Sequence, residues 1–293
     1  MNKIGLVIDE GADLTSDIIT KHQISVVPLK LEWPSEIESL PGKTVFHRMK
    51  EADKRGIKVF CKTSQPSPKD YVDLYKKQLE KFEKLICITV TSKLSGTYNS
   101  AIQAKSFLPE EQKNRVFIVD TLSAAAGEGL IVLKTINLVN QDKPIEEIVK
   151  ELENLVSQTF LYIALKDPKW LEVSGRISST IANWIRKMSN INLRPLLGMK
   201  KGVLKPISIK IGVKDVAEAL FKEIESKSRK YRKEGQRIQI FISHALAPEA
   251  CQKLQDLIQK DMENTEIVAA NLLDEIIGSI VGPGSMAVAW YAE

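Results

Sequence analysis

Three histidines and three cysteines in 293 residues leave little raw material for catalysis or metal binding. Cys61, Cys87 and Cys251 show no metal-like spacing, and two of them sit in or beside apolar strands, where they read as small buried hydrophobes. That usage fits a reducing compartment. His22 and His47 fall in polar, helical surroundings, whereas His244 follows the strand predicted at 238–243 and reaches toward a crevice. The chain has no HExxH, no CxxC, no GxGxxG, no P-loop lysine and no Gly-x-Ser-x-Gly elbow. It also lacks any apolar run near the roughly 18 residues that span a bilayer. The first residues, MNKIGLVIDE, read as a strand because acids follow the short apolar run at once, unlike a signal peptide. The expectation is a cytoplasmic protein without metal or cofactor, with at most transient contact with a membrane surface.

Charge is nearly balanced. A net +5 over the whole chain argues neither for nor against an anionic partner. The densest basic run, Lys227 to Lys233, ends a predicted helix, where cations complement the helix dipole, so it reads as a solvated helix end and not as a nucleic-acid patch. Hydrophobic residues at 43% supply a full core. The length suits two domains. Short β-branched runs alternate with helical stretches as far as Ser157, which implies an α/β fold with a largely parallel sheet between helices. Beyond that point a hairpin around Lys200-Lys201-Gly202 changes the pattern. We therefore expect two α/β domains, residues 1–157 and 158–293.

Chemistry concentrates where strands run into helices. Ile86 to Tyr98 reads ICITVTSKLSGTY: an apolar strand, a small-residue turn, then a helix start near Thr97. Such a turn offers unpaired backbone N–H groups and the positive end of a helix dipole, which suits phosphate, sulfate or carboxylate. Thr91, Ser92, Ser95 and Thr97 add hydroxyls, and Gly96 permits close approach of backbone to a ligand. The plainer reading makes Ser95 an N-cap and Gly96 a turn residue. A second hydroxyl-rich turn, Lys62 to Pro68, precedes another helix, with Ser67 as cap and Pro68 in its first position. Two such turns suggest one shared anion. Arg176, beside Gly175, is a candidate turn residue and a candidate anion contact, and Gly282-Pro283-Gly284 marks a turn that brings backbone close to something. Anion sites without a base, metal or cofactor motif point to a binding protein. If the anion is a carboxylate on an apolar tail, the tail needs an aliphatic tunnel, and each buried methylene is worth roughly 0.8 kcal/mol.

These segments resemble the DegV family of bacterial fatty-acid-binding proteins. The resemblance is carried by Thr63-Ser64-Gln65-Pro66-Ser67, Ser95-Gly96-Thr97-Tyr98 with Ser100-Ala101, Val119-Asp120-Thr121, Gly175-Arg176-Ile177, Arg194-Pro195-Leu196-Leu197 and Gly282-Pro283-Gly284, in family order over nearly the whole chain. It implies two α/β domains with a long-chain fatty acid, such as palmitate or oleate, held between them. Its carboxylate would lie on Thr63 and Ser95, with Gly96, Thr91, Ser92, Arg176 and Arg194 around it, and its acyl chain in an apolar interior. It also implies a separate fatty acid kinase that phosphorylates the presented carboxylate, so that no catalytic residue belongs to this chain.

The sequence departs from the family pattern at Asp9-Glu10, where Asp-Ser is usual, and at Ser174-Gly175-Arg176 in place of Gly-Gly-Arg. It departs again at Arg194-Pro195 in place of Lys-Pro, and at Ile280, where a histidine often stands. A carboxylate at Glu10 disfavours an anionic ligand if it points inward; it is expected to point outward. Two other readings stand beside the lipid carrier. One is a serine-dependent acyl or phosphate-ester hydrolase using Ser95 and His244. The other is a binder of a different amphipathic acid, such as an isoprenoid or branched acid.

Overall fold

The computed structural model describes residues 2–293. Twelve strands follow one another among the described residues. They are β1 (Asn2–Asp9), β2 (Ser25–Val27), β3 (Lys30–Glu32), β4 (Lys62–Ser64), β5 (Phe82–Thr89), β6 (Val116–Asp120), β7 (Phe160–Ala164), β8 (Arg194–Lys200), β9 (Val203–Lys210), β10 (Ile238–His244), β11 (Thr265–Leu272) and β12 (Met286–Ala292). They form a four-stranded sheet in the order β2-β1-β5-β6, a six-stranded sheet in the order β11-β10-β12-β7-β8-β9, and a small β3-β4 ribbon.

The chain divides into two compact units. The first comprises Met1–Lys30, Ser64–Thr159 and Lys201–Val203; the second comprises Leu31–Thr63, Phe160–Lys200 and Leu204–Glu293. This is less simple than one break after residue 157. Residues 31–63 belong with the later part of the chain because their apolar side chains have partners there. Val45, Phe46, Met49 and Ala52 of helix Val45–Lys54 bury with Ile37, Leu40 and Val59 against Trp170.

The first unit is the expected parallel α/β layer. All three strand pairings of its sheet are parallel, with Leu6 opposite Ile86 and Ile88 opposite Val119. β1 leads outward to β2 and β5 leads the other way to β6, so the topology switches between β1 and β5. Open α/β sheets bind ligands beyond the carboxyl ends of such strands. Helices Pro68–Leu79 and Thr97–Ser106 pack against the sheet through Tyr71, Tyr75, Leu79, Ala101 and Ala104. The first of these has the capping predicted for it: Ser67 and Asp70 form a reciprocal box, with Pro68 at the first helical position.

The second unit carries a mixed sheet. β10 pairs parallel with β11 and antiparallel with β12, which continues antiparallel to β7 and β8. Helices Val216–Lys233 and Pro248–Asp261 cover it, and Trp290 lies fully buried at the centre, stacked on Phe160 at 4.5 Å. β8 and β9 flank the predicted turn at Lys201-Gly202.

Several sequence expectations need correction. The apolar stretch 24–31 reads in sequence as one strand but forms two strands in different sheets, because Pro28 cannot donate to a ladder. The apolar segment 59–61 is not a strand; pairing begins one residue later, at Lys62. Thr44 reads in sequence as the cap of a helix over 44–55; it precedes helix Val45–Lys54, but its hydroxyl pairs with His47 Nδ1 and caps no backbone amide. The C-terminal stretch forms helix Glu275–Val281 and then β12, which lies between β10 and β7.

Candidate functional site

At the sheet switch of the first unit, polar groups crowd beyond β1, β5 and β6. Asp9 is fully buried there. Its Oδ1 accepts from Gly11 N–H at 2.8 Å and its Oδ2 from Val90 N–H at 2.8 Å, which ties the ends of β1 and β5 together. At the end of β6, Asp120 accepts from Ser92 N–H at 3.2 Å and Leu122 N–H at 3.0 Å. Thr91 is fully buried, and its hydroxyl donates to Gly202 C=O at 3.0 Å. Its proton is spent on holding a loop. The Thr91 hydroxyl and the Ser92 backbone amide therefore shape this turn through bonds within the protein.

Ser95 is half-buried. Its Oγ lies 2.8 Å from Thr97 Oγ1 and accepts from Thr97 N–H at 3.3 Å, which makes it the hydroxyl that answers the helix start. Gly96, the N-cap residue, has no side chain to contribute. A Cβ at Gly96 would meet Gln65 Nε2 at 2.8 Å. The close approach expected for a ligand is thus occupied by a side chain of the other hydroxyl-rich turn. The spacing of the two motifs is explained locally: one packs onto the other within this unit.

Glu10 does not point outward. Its Oε2 accepts from Leu29 N–H at 2.7 Å, the amide that follows Pro28, and burial raises its carboxyl above the ordinary value.

The second unit holds Thr63, Arg176 and Arg194. Helix Lys169–Val173 ends in Gly175, whose left-handed φ of 77° turns the chain so that Arg176 points back across it. The half-buried guanidinium donates through Nη1 to Ser174 C=O at 2.8 Å and through Nη2 to Thr63 Oγ1 at 2.8 Å. Among the described residues Arg176 has no carboxylate partner. Burial lowers its affinity for a proton, and the ionisable neighbour that favours its charge is the Cys61 thiol. Thr63 Oγ1 is the acceptor in its bond to Arg176, so its own proton stays available to a further acceptor. Arg194 starts β8, and its buried Nε meets no hydrogen-bond partner.

An apolar cluster adjoins Arg176 and Thr63 through the chain itself. Phe60, three residues before Thr63, packs edge-on against Trp170 at 5.2 Å. Trp170 packs against Gly282, where a Cβ would be 2.0 Å from the indole, and a φ of 82° there further favours glycine. This is what the Gly282-Pro283-Gly284 turn brings close. Phe46 covers Gly278 in the same way, its ring 2.4 Å from where a Cβ would stand. Ile280, in the position of the usual histidine, is buried on the same short helix, Glu275–Val281. No local pattern places residues 31–63 beside Arg176, since about a hundred residues or more separate them.

His244 is half-buried, and burial lowers its imidazole pKa. Its Nδ1 accepts from Ala247 N–H at 3.2 Å, which fixes a neutral ring. The hydroxyl partner of Ser95 is Thr97 and not a base. No group of three or more His, Cys, Asp or Glu is arranged to hold a metal among the described residues, and none of their helices is long and apolar enough to cross a membrane.

A family model described as "Uncharacterised protein, DegV family" matches residues 3–293, and the chain belongs to that family. Among its relatives, a DegV domain-containing protein of Clostridium acetobutylicum is 34% identical over 208 residues, spanning 69% of this chain and 70% of that one. A Thermotoga maritima protein named as a fatty acid-binding protein is 27% identical over 97% of this chain and 96% of its own length. Among solved structures, a DegV family protein from Thermus thermophilus, described for its fatty acid binding, superimposes with a TM-score of 0.80. It is 26% identical over 99% of this chain and 100% of its own. The mixed α/β architecture is that of these proteins.

Proposed function

We propose that this chain binds a long-chain fatty acid, with the carboxylate on Arg176 and Thr63 and the acyl tail among the apolar side chains beside them. One observation carries the reading: a half-buried guanidinium with no carboxylate partner, holding a hydroxyl whose proton is still to be given. A cation withdrawn from water without a counter-charge is costly, and a monoanionic ligand removes that cost. The apolar cluster of Phe46, Met49, Val59, Phe60 and Trp170 then accounts for the rest of the ligand. Two relatives named for fatty-acid binding support the same class of ligand. Ser95, Gly96, Thr91 and Ser92 form the hydroxyl-rich turn of the first unit, and Ser92 and Ser95 are the half-buried hydroxyls among them able to meet an acid.

The chain then acts as a carrier. A separate kinase converts the presented carboxylate to an acyl phosphate, and the carrier supplies no catalytic group. The serine-hydrolase reading has no observation in its favour, because Ser95 bonds to Thr97 and His244 to a backbone amide.

Native mass spectrometry of the purified protein, followed by denaturing extraction, tests the reading. A co-purified species with the mass of a C16–C18 fatty acid is expected. An empty protein that also fails to take up added palmitate or oleate sinks the proposal.

A further inference from the structure

The first unit has a second cleft, at the amino ends of β1 and β5 and so at the opposite end of the sheet from Asp9 and Asp120. Its volume is about 450 Å³, within the roughly 300–1,000 Å³ of small-molecule pockets. Ile4, Phe82 and Val139 form an apolar floor. The Phe82 ring is held against β1, since a Cβ on Gly5 would meet it at 2.5 Å. Lys3, Lys21 and His22 line the same cleft, and Asp142 is the one acid lining it among the described residues. The plainest account of these cations is that they answer two helices, Ser16–Lys21 and Ala126–Asn140, whose C-termini reach the cleft. Yet the carbonyls of both ends are already taken by backbone amides. Ile18 and Ile19 C=O accept from His22 and Ile24 N–H, and Leu138 and Val139 C=O accept from Gln141 and Asp142 N–H. The cations themselves are unequally spent. Lys143, on the rim, pairs with Glu151 at 2.8 Å. Lys3 meets Asp142 only at 3.6 Å, with both side chains largely in water, which makes a weak pair. Lys21 and His22 make no ion pair among the described residues.

We propose that this cleft binds a nucleoside monophosphate, with the phosphate on Lys21, His22 and Lys3 and the base on the apolar floor. Each part of the cleft then has a use. A phosphate monoester carries about 1.5 to 2 negative charges at pH 7, so it answers Lys21 and draws Lys3 away from its loose bond to Asp142. A flat base covers Ile4 and Val139, both half-buried in the free protein. Gln23 and Asn140 line the cleft with exposed amides, each of which offers a donor and an acceptor to the edge of a base. The site is independent of the fatty-acid reading, because none of its residues is used there.

The test is calorimetric titration of the full-length protein with AMP, GMP, CMP and UMP in turn, repeated for the tightest of them with its nucleoside and with ribose 5-phosphate. At least one nucleotide should bind, and the nucleoside and the sugar phosphate should each bind more weakly, by about five-fold or more. Lys21→Ala combined with His22→Ala should weaken the nucleotide by about ten-fold. Asp142→Asn should tighten it by about two- to five-fold, because Lys3 is released from its acid. Asparagine suits the left-handed φ of 55° at that position, so the substitution leaves the backbone as it is. Oleate affinity and melting temperature of every variant should match the wild type, which separates loss of the cleft from loss of the fold.

Failure of all four nucleotides to bind overturns the proposal, and so does an affinity that the Lys21→Ala, His22→Ala double variant leaves unchanged. Ribose 5-phosphate binding as tightly as the nucleotide overturns it too, since the apolar floor then has no part. A nucleoside that binds as tightly as its monophosphate overturns it from the other side, since the cations then have none.

Discussion

The two units answer the same electrostatic problem in opposite ways. Beyond β1, β5 and β6 of the first unit, backbone N–H groups gather where a parallel sheet ordinarily receives an anion, and the protein supplies the anions itself. Asp9 takes the amides of Gly11 and Val90, and Asp120 those of Ser92 and Leu122. In the second unit a guanidinium is drawn out of water and given a hydroxyl and a carbonyl but no carboxylate. The difference teaches that a hydroxyl-rich turn is not a binding site by composition. What matters is which donors are left unspent after the protein has satisfied itself.

The largest expected effect falls on the unspent side. Arg176→Ala should weaken oleate binding by roughly 10- to 150-fold, the value of a charge-assisted hydrogen bond of about 1.5–3 kcal/mol. The melting temperature of the ligand-free protein should stay level or rise, because an unneutralised cation has been removed. Calorimetric titration and thermal denaturation of one preparation check both halves. A variant that binds normally would place the anion elsewhere and erase the contrast between the units.

Next comes packing beside that cation. Gly278→Ala puts a methyl where the Phe46 ring lies, and forced overpacking costs about 1–3 kcal/mol. Phe46→Ala alone opens a void and costs about 3–5 kcal/mol. The double variant should be less destabilised than the sum, since each change relieves the other. Additive losses in urea denaturation would mean that the ring and the glycine do not meet.

The first unit should respond in stability more than in affinity. Thr91→Val removes a buried hydroxyl that donates to Gly202, leaving that carbonyl short of a partner at a cost of about 1–3 kcal/mol. Oleate affinity should hold within two-fold. Ser95→Ala should cost a few-fold in affinity at most, because its hydroxyl is shared with Thr97. If Ser95→Ala instead matches Arg176→Ala, the first unit has an unspent donor after all, and the contrast drawn above fails.

The sequence carried the first unit almost completely and the second only in parts, for physical reasons. Ile4–Ile8, Ile86–Val90 and Val116–Val119 are apolar, β-branched runs separated by helices, and period and composition agree at each. Ser67-Pro68 announces its helix by capping chemistry alone. By contrast, β12 is assigned by its neighbours β10 and β7, and its sequence, MAVAWYA, does not distinguish a central strand from a helix segment. Thr63, Ser95 and Arg176 were each visible as chemistry. The spent state of Thr91 and the use of Gly96 by Gln65 depend on long-range contacts that no local pattern encodes.

The smallest effect concerns His244, and its sign is fixed by the same contrast between spent and unspent groups. Its Nδ1 is spent on Ala247 N–H, and burial holds the folded pKa below the ordinary 6.5. The unfolded chain therefore takes up a proton before the folded one does. Stability is full above about pH 6.5 and declines as the pH falls toward the lowered folded value, below which the loss levels off. His244→Asn, which keeps an acceptor without a titrating ring, should flatten that slope between pH 7 and pH 5. A chemical-denaturation series at fixed ionic strength measures it. A slope equal in both proteins would mean that the imidazole is solvated in the folded state, and that its bond to Ala247 does not hold in solution.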